Sequence, residues 1–290
     1  MNKQPWALIL GASSGFGEAA AIELSRAGMN IFGVHLDPPD KRPHAEEVCQ
    51  KIRALGREAE FFNVNAADDE FRRDTIETIR QRLSAGPLEG RPDASGVPAS
   101  AEAAAARSGD KSGESKGTLR VLLHSLALGW FKPLAGAEQV VAKKQLEITV
   151  DTMGHSLVYW VQDCLRAGLF EWGARIFAMT SAGAERAIPN YGPASAAKAA
   201  MEAHVRQLAL ELAPAGITAN AIRAGFADTP SLRLIPGHEQ ILAAARRRNP
   251  HRRLTTPEDV ARSIAALCHP ATYWMTGNTL HVDGGESIVE

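Results

Sequence analysis

The order of its apolar segments constrains this chain most. Short apolar runs, WALIL (6–10), MNIFGV (29–34), EFFNV (60–64), LRVLLHS (119–125), ARIFAMT (174–180), ITANAIR (217–223) and NTLHVD (278–283), alternate with longer stretches of helical period near 15–27, 43–55, 68–83, 138–168, 194–213 and 257–268. Strands that alternate with helices are joined by right-handed crossovers, which produce a parallel sheet covered on both faces. The expected architecture is α/β, one doubly wound parallel-sheet domain spanning residues 1–290.

One stretch breaks the rhythm. SAGPLEGRPDASGVPASAEAAAARSGDKSGESKG, at about 84–117, nearly lacks large apolar side chains and cannot bury enough surface to offset its ordering entropy. It is expected to be a flexible insertion. Because it joins a helix to a strand, it falls at the amino-terminal edge of the sheet, opposite the crevice where such sheets bind ligands.

Composition narrows the function. A formal net charge of −1 gives no basic surplus for nucleic acid. Cys49, Cys164 and Cys268 form no C-x-x-C pair, and the histidines show no ligand spacing, so neither disulfides nor a metal are expected. No apolar run approaches the ~20 residues that span a bilayer. MNKQPW runs directly into ALIL, leaving no signal segment, and a cytoplasmic location is expected.

After the first apolar run comes LGASSGFGEAAAIELSRAG, with Gly11, Gly15 and Gly17 in the pattern G-x-x-x-G-x-G. Glycines there permit a tight turn and close approach of backbone to a pyrophosphate, which then sits at the positive end of the following helix. With the alternation of strands and helices, the expected fold is of Rossmann type. The spacing resembles the short-chain dehydrogenase/reductase superfamily, and the resemblance runs the length of the chain apart from the insertion. It places Asn63 and Val64 beside the adenine and HSLA (124–127) at the end of the fourth strand, with HVDGGES (281–287) as terminal strand and turn. Cofactor contacts are implied for Gly11, Ser13, Ser14, Gly15, Phe16, Gly17, His35, Asn63, Val64, Ser125, Leu126, Ala127, Lys198, Gly225 and Thr229. Choice of nucleotide stays open: His35 with Lys41 and Arg42 favours NADP(H) slightly, while Asp37 favours NAD(H).

The reacting end is read in ERAIPNYGPASAAK (185–198), where Tyr191 and Lys198 lie seven positions apart. Pro193 suits a first helical turn, so Tyr191 is expected just before a helix that carries Lys198. Lysine there would hold the nicotinamide ribose, and tyrosine would donate to an oxygen gaining negative charge. In an α,β-unsaturated thioester hydride goes to C3 while charge develops on the oxygen at C1, so the hydroxyl has to lie farther out than in carbonyl reduction. GAERAIPNYG, AKAAMEAHVRQLA, ITANAIRAG and HSLA together resemble the NAD(P)H-dependent enoyl-[acyl-carrier-protein] reductases, a divergent branch with Tyr-x6-Lys.

That resemblance implies reduction of a trans-2-enoyl thioester, on acyl carrier protein or coenzyme A, in fatty-acid synthesis, by a homotetramer. Tyr191, Lys198 and Ser181 are the candidate catalytic residues. Ser181 stands where many members of the branch have a second tyrosine, and it reads equally as a substrate contact or a loop-capping hydroxyl. Ala194 fills the slot of the tyrosine of carbonyl-reducing members. A carbonyl or 3-oxoacyl reductase using Ser181, or a cofactor-binding regulator without turnover, are the alternatives. Asp151 falls in the region of a proton-relay asparagine. Residues 228–250 are expected to form a mobile substrate lid, flanked by Arg246, Arg247, Arg248, Arg252 and Arg253, which either attract an acidic carrier or coenzyme A phosphates or form a solvated face.

Overall fold

The computed structural model describes residues 4–83 and 117–289. The segment singled out at 84–117 lies outside the described residues, except for Gly117, which opens a strand. Seven strands form one sheet: β1 Gln4–Leu10, β2 Asn30–His35, β3 Ala59–Asn63, β4 Gly117–His124, β5 Phe170–Thr180, β6 Thr218–Ala224 and β7 Thr279–Val282. Their order is β3-β2-β1-β4-β5-β6-β7, and every pairing is parallel. Strand order reverses between β1 and β4, so the carboxyl ends of those strands open a crevice.

Helices cover both faces: α1 Gly15–Arg26, α2 Arg42–Ala54, α3 Asp69–Leu83, α4 Lys143–Val150, α5 Ser156–Arg166, α6 Gly192–Leu212, α7 His238–Arg248 and α8 Pro257–Leu267. The period-two geometry of a strand divides their core contacts. Trp6, Leu8 and Leu10 pack with Ile79 of α3, Trp160 of α5 and Val205 of α6, whereas Ala7 and Ile9 pack with Leu24 of α1, Ile52 of α2 and Ile264 of α8. Each such fully buried Leu or Ile contributes roughly 1.5–3 kcal/mol. Trp160 is buried without an orphan donor, since its Nε1 donates to Ala66 O at 2.8 Å. All three cysteines are buried, and burial pushes their thiols up.

The structure refines two expectations. The helix expected at 138–168 runs without a break from Lys143 to Arg166, its α4 and α5 parts continuous through a π-turn at Asp151–His155. Within that turn Gly154 packs closely on α6, where an added Cβ would come within 2.8 Å of Ala197 O. The region read only as a lid contains a short turn, Leu232–Leu234, and α7, which starts after Gly237 in the left-handed conformation (φ 79°). Among the described residues, no helix is long and apolar enough to cross a membrane.

Candidate active site

The crevice runs from the glycine turn to the start of α6. At its first end the backbone itself forms the walls. A Cβ on Gly11 (φ 89°) would lie 2.5 Å from Ser125 O, and one on Gly17 would lie 2.0 Å from Gly11 O. Only glycine lets the turn, the end of β4 and the first turn of α1 approach so closely. Gly11, Ser13, Ser14, Gly15 and Phe16 line the crevice, with the unpaired N–H groups of the α1 amino terminus available to an anion. Gly17 is not among the lining residues; it supports the turn from beneath.

His35, at the end of β2, is buried, and its Nδ1 lies 2.9 Å from Asp37 Oδ2. Asn63, expected beside the adenine, is not itself among the residues that line the crevice. Its amide oxygen accepts from Asp37 N at 2.8 Å and its Nδ2 donates to Asp37 O at 3.1 Å, so it pins the β2 exit while Val64 and Asn65 face the crevice. Ser125, Leu126 and Ala127 line the floor. On the far side Gly225 packs against Thr255, and the buried Thr229 sets its methyl opposite Gly15.

Tyr191 is the residue immediately before α6 and follows Asn190, a left-handed residue with φ 62°. Its ring lies flat against Gly183, where a Cβ would come within 2.5 Å, and stacks on Phe131 with centroids 5.7 Å apart. Met153 and Ile235 pack around it, with Ile188 and Leu232. Burial raises the phenol's pKa, and a hydrogen bond with Ser181 acts the other way. Tyr191 is therefore a protonated donor at neutral pH. The Ser181 oxygen also accepts from Gly183 N at 3.1 Å, capping the short turn Ala182–Ala184. The capping role of this serine is thus present in the structure, and the same hydroxyl lines the crevice beside Tyr191.

Lys198 lies nearly two turns into α6, and its Nζ donates to Leu126 O at 3.2 Å. Burial pulls its pKa down to about 7, against the opposing carboxylate of Glu202. His124, at the end of β4, is fully buried with Nε2 2.8 Å from Ser156 Oγ. Burial, aided by Lys198, lowers it to about 3, so it stays neutral. Asp151 accepts from Tyr159 OH at 2.9 Å and is not a lining residue, whereas Thr152 and Met153 of the same π-turn are.

The arginines diverge. Arg248 pairs with Glu286, Arg253 pairs with Asp259, and Arg252 donates to Arg247 O, while Arg246 and Arg247 remain exposed on α7. Asn65 and the apolar wall of Phe131, Met153, Ile188, Leu232 and Ile235 were not read from the sequence. They come from separate elements; Asn65 follows Val64, Ile188 lies within the stretch 185–198 and Leu232 and Ile235 within 228–250, but nothing in their spacing marks them as one wall.

Residues 89–287 match the model of the family described as enoyl-(acyl carrier protein) reductase, and residues 5–106 match that of short chain dehydrogenase. The chain belongs to the enoyl-(acyl carrier protein) reductase family. It is 36% identical over 148 residues to the enoyl-[acyl-carrier-protein] reductase [NADH] FabI of Escherichia coli, a match covering 51% of this chain and 56% of that protein. It is 31% identical over 173 residues to the NADPH form of Staphylococcus aureus (60% and 67%), and 41% identical over 123 residues to 1-cyclohexenylcarbonyl-CoA reductase of Streptomyces collinus (42% and 44%). The matched stretch thus spans little more than half the length of the first of these relatives. In fold, the chain resembles the enoyl-[acyl-carrier-protein] reductase (NADH) of Aquifex aeolicus at a TM-score of 0.77 and 22% identity, covering 99% of this chain and 98% of that one. It also resembles a short chain dehydrogenase of Burkholderia cenocepacia in complex with NADP, at 0.75 and 23%, covering 98% of both chains.

Proposed function

We propose that this protein reduces a trans-2-enoyl thioester to the saturated acyl thioester with NAD(P)H, as a step of fatty-acid synthesis. The observation that carries the reading is the buried pair Tyr191 and Lys198, seven positions apart, beside an apolar chamber at one end of a glycine-walled crevice. The glycine turn, the α1 amino terminus and the β4 floor fit a dinucleotide, because a Cβ on Gly11 or Gly17 would collide with backbone and force apart the turn that brings the helix end to the crevice. When bound, the nicotinamide supplies a hydride.

The chain does the rest. Lys198 holds the cofactor's ribose from the helix side and its cation favours negative charge nearby. Tyr191, kept protonated by burial, donates to the thioester oxygen as charge develops there. Met153, Ile188, Leu232 and Ile235 surround the acyl chain and exclude water, with 228–250 closing over it as a lid. Ser181 orients the Tyr191 hydroxyl. Among nucleotides we favour NADPH: His35 engages the Asp37 carboxylate, and Lys41 and His44 line the adjoining space beyond the glycine turn. Relatives of both nucleotide types are similar to the chain.

A 3-oxoacyl reductase is disfavoured by Ala194, fully buried and without a hydroxyl where that chemistry needs one. The substrate is carried on acyl carrier protein or coenzyme A, the acidic partner meeting Arg246 and Arg247. A single catalytic domain, a homotetramer and a cytoplasmic location complete the reading. The test is oxidation of NADPH, and separately NADH, with crotonyl-thioester and acetoacetyl-thioester in parallel. Oxidation with the enoyl substrate alone is expected; oxidation with the keto substrate alone would overturn the assignment.

A further inference from the structure

We propose that Glu202 is a positioning residue of the reacting end: its buried carboxylate is the counter-charge of the Lys198 ammonium and fastens the Lys198 helix to the strand that delivers Ser181. The inference rests on Lys198 acting as the cofactor-holding cation. Glu202 lies four residues after Lys198, one turn along the same face of α6, and is 8% exposed. Its Oε1 accepts from Thr180 Oγ1 at 2.7 Å, and Thr180 is the last residue of β5, immediately before Ser181. Arg223 of β6 brings Nη2 to 3.5 Å from the same oxygen, but its Nη1 donates to Glu185 Oε2 at 2.8 Å.

A carboxylate this deeply buried requires compensation. One neutral hydroxyl and an arginine shared with Glu185 supply part of it, and Lys198, one turn back on the same face of α6 with its Nζ hydrogen-bonded to Leu126 O, is the cation left to act on it through space. From its side, Lys198 meets few charged groups. His124 faces it from β4 and is neutral; Arg223 approaches from β6 beyond Glu202; Tyr191, before α6, is a protonated phenol. On the π-turn Asp151 is engaged by Tyr159 and His155 by His204. Glu202 is thus the carboxylate that opposes the effect of burial on Lys198. Removing its charge also leaves Arg223 less compensated, which disfavours the ammonium further. The lysine is a cation below its midpoint and loses its hold on anionic or hydroxyl groups as pH rises through that midpoint, so any fall of the midpoint weakens cofactor binding at neutral pH.

The test titrates Lys198 directly in the unliganded protein, following lysine Cε by carbon-13 NMR, with Lys198→Arg identifying the resonance. Glu202→Gln keeps an amide oxygen for Thr180 but removes the charge, and is expected to lower the midpoint by about one pH unit, tenfold in proton affinity. Thr180→Val removes the hydrogen bond and keeps the charge, and should leave the midpoint in place. NADPH affinity should follow: the Kd of Glu202→Gln relative to wild type, a ratio in which the ligand's own titration cancels, should be about tenfold at pH 8 and close to one at pH 5. An unchanged midpoint in Glu202→Gln, or a ratio flat with pH, overturns the proposal. Should Glu202→Gln fail to fold, Glu202→Asp must shift the midpoint in the same direction by less, and an unmoved midpoint there is equally fatal. Absence of enoyl turnover in the wild type would sink the proposed function while leaving the midpoint comparison intact.

Discussion

The two ends of the crevice are built from different material. At the cofactor end, backbone meets backbone: Gly11 lies against Ser125 O and Gly17 against Gly11 O, at distances that no Cβ survives. At the reacting end, side chains from separate elements converge: Tyr191 from the loop before α6, Lys198 from α6, Ser181 from the end of β5 and Phe131 from the segment after β4. A backbone cradle recognises what every dinucleotide shares, whereas a cluster of buried side chains tunes protonation and selects a reaction. The first should fail through affinity and stability, the second, apart from the cofactor-holding Lys198 and its partner Glu202, through turnover.

The sharpest way to break that contrast is Tyr191→Phe. Turnover with an enoyl thioester should fall by about 10²–10⁴-fold, the usual range for a lost proton donor, while cofactor affinity measured by fluorescence titration stays the same. Equal losses in both would remove the hydroxyl from the chemistry. Next in size is Gly11→Ala. The added Cβ meets the Ser125 carbonyl and the backbone sits at φ 89°, so destabilisation on the order of 1–3 kcal/mol and weaker cofactor binding are expected, with turnover at saturating cofactor largely kept. A Gly11→Ala protein with wild-type affinity and melting temperature would show that the turn is not a cradle. The smallest effect is Ser181→Ala. It deletes one hydrogen bond to Tyr191 and should slow turnover about tenfold or less at unchanged cofactor affinity. A loss as large as that of Tyr191→Phe would make Ser181 a reacting group in its own right.

The same division explains what could be read from the chain without coordinates. Strands and helices followed from apolar period, and the glycine turn announced its conformation because only glycine tolerates it. Tyr191 before α6 followed from Pro193. Asn63 could not be placed from the sequence because its amide is held by the Asp37 backbone, just past the neighbouring strand, while Val64 and Asn65, past the end of β3, line the crevice. The π-turn was invisible because the contact it carries, Gly154 against Ala197, joins segments distant in sequence. The arginines read as a cluster along the chain, yet Arg248, Arg252 and Arg253 are each drawn to a different neighbour. The apolar wall around Tyr191 was missed for the same reason, since Phe131, Met153 and Ile235 share no period.

The measurement that reaches the central claim most directly follows the transferred hydrogen. Purified protein is given crotonyl-thioester and NADPH carrying deuterium at the transferable position, and the product is analysed by mass spectrometry and NMR. The account predicts a saturated butyryl thioester with one deuterium at C3 and a solvent-derived proton at C2, abolished in Tyr191→Phe. Intact crotonyl-thioester, beside deuterium on the hydroxyl-bearing carbon of a product formed from acetoacetyl-thioester, would contradict it.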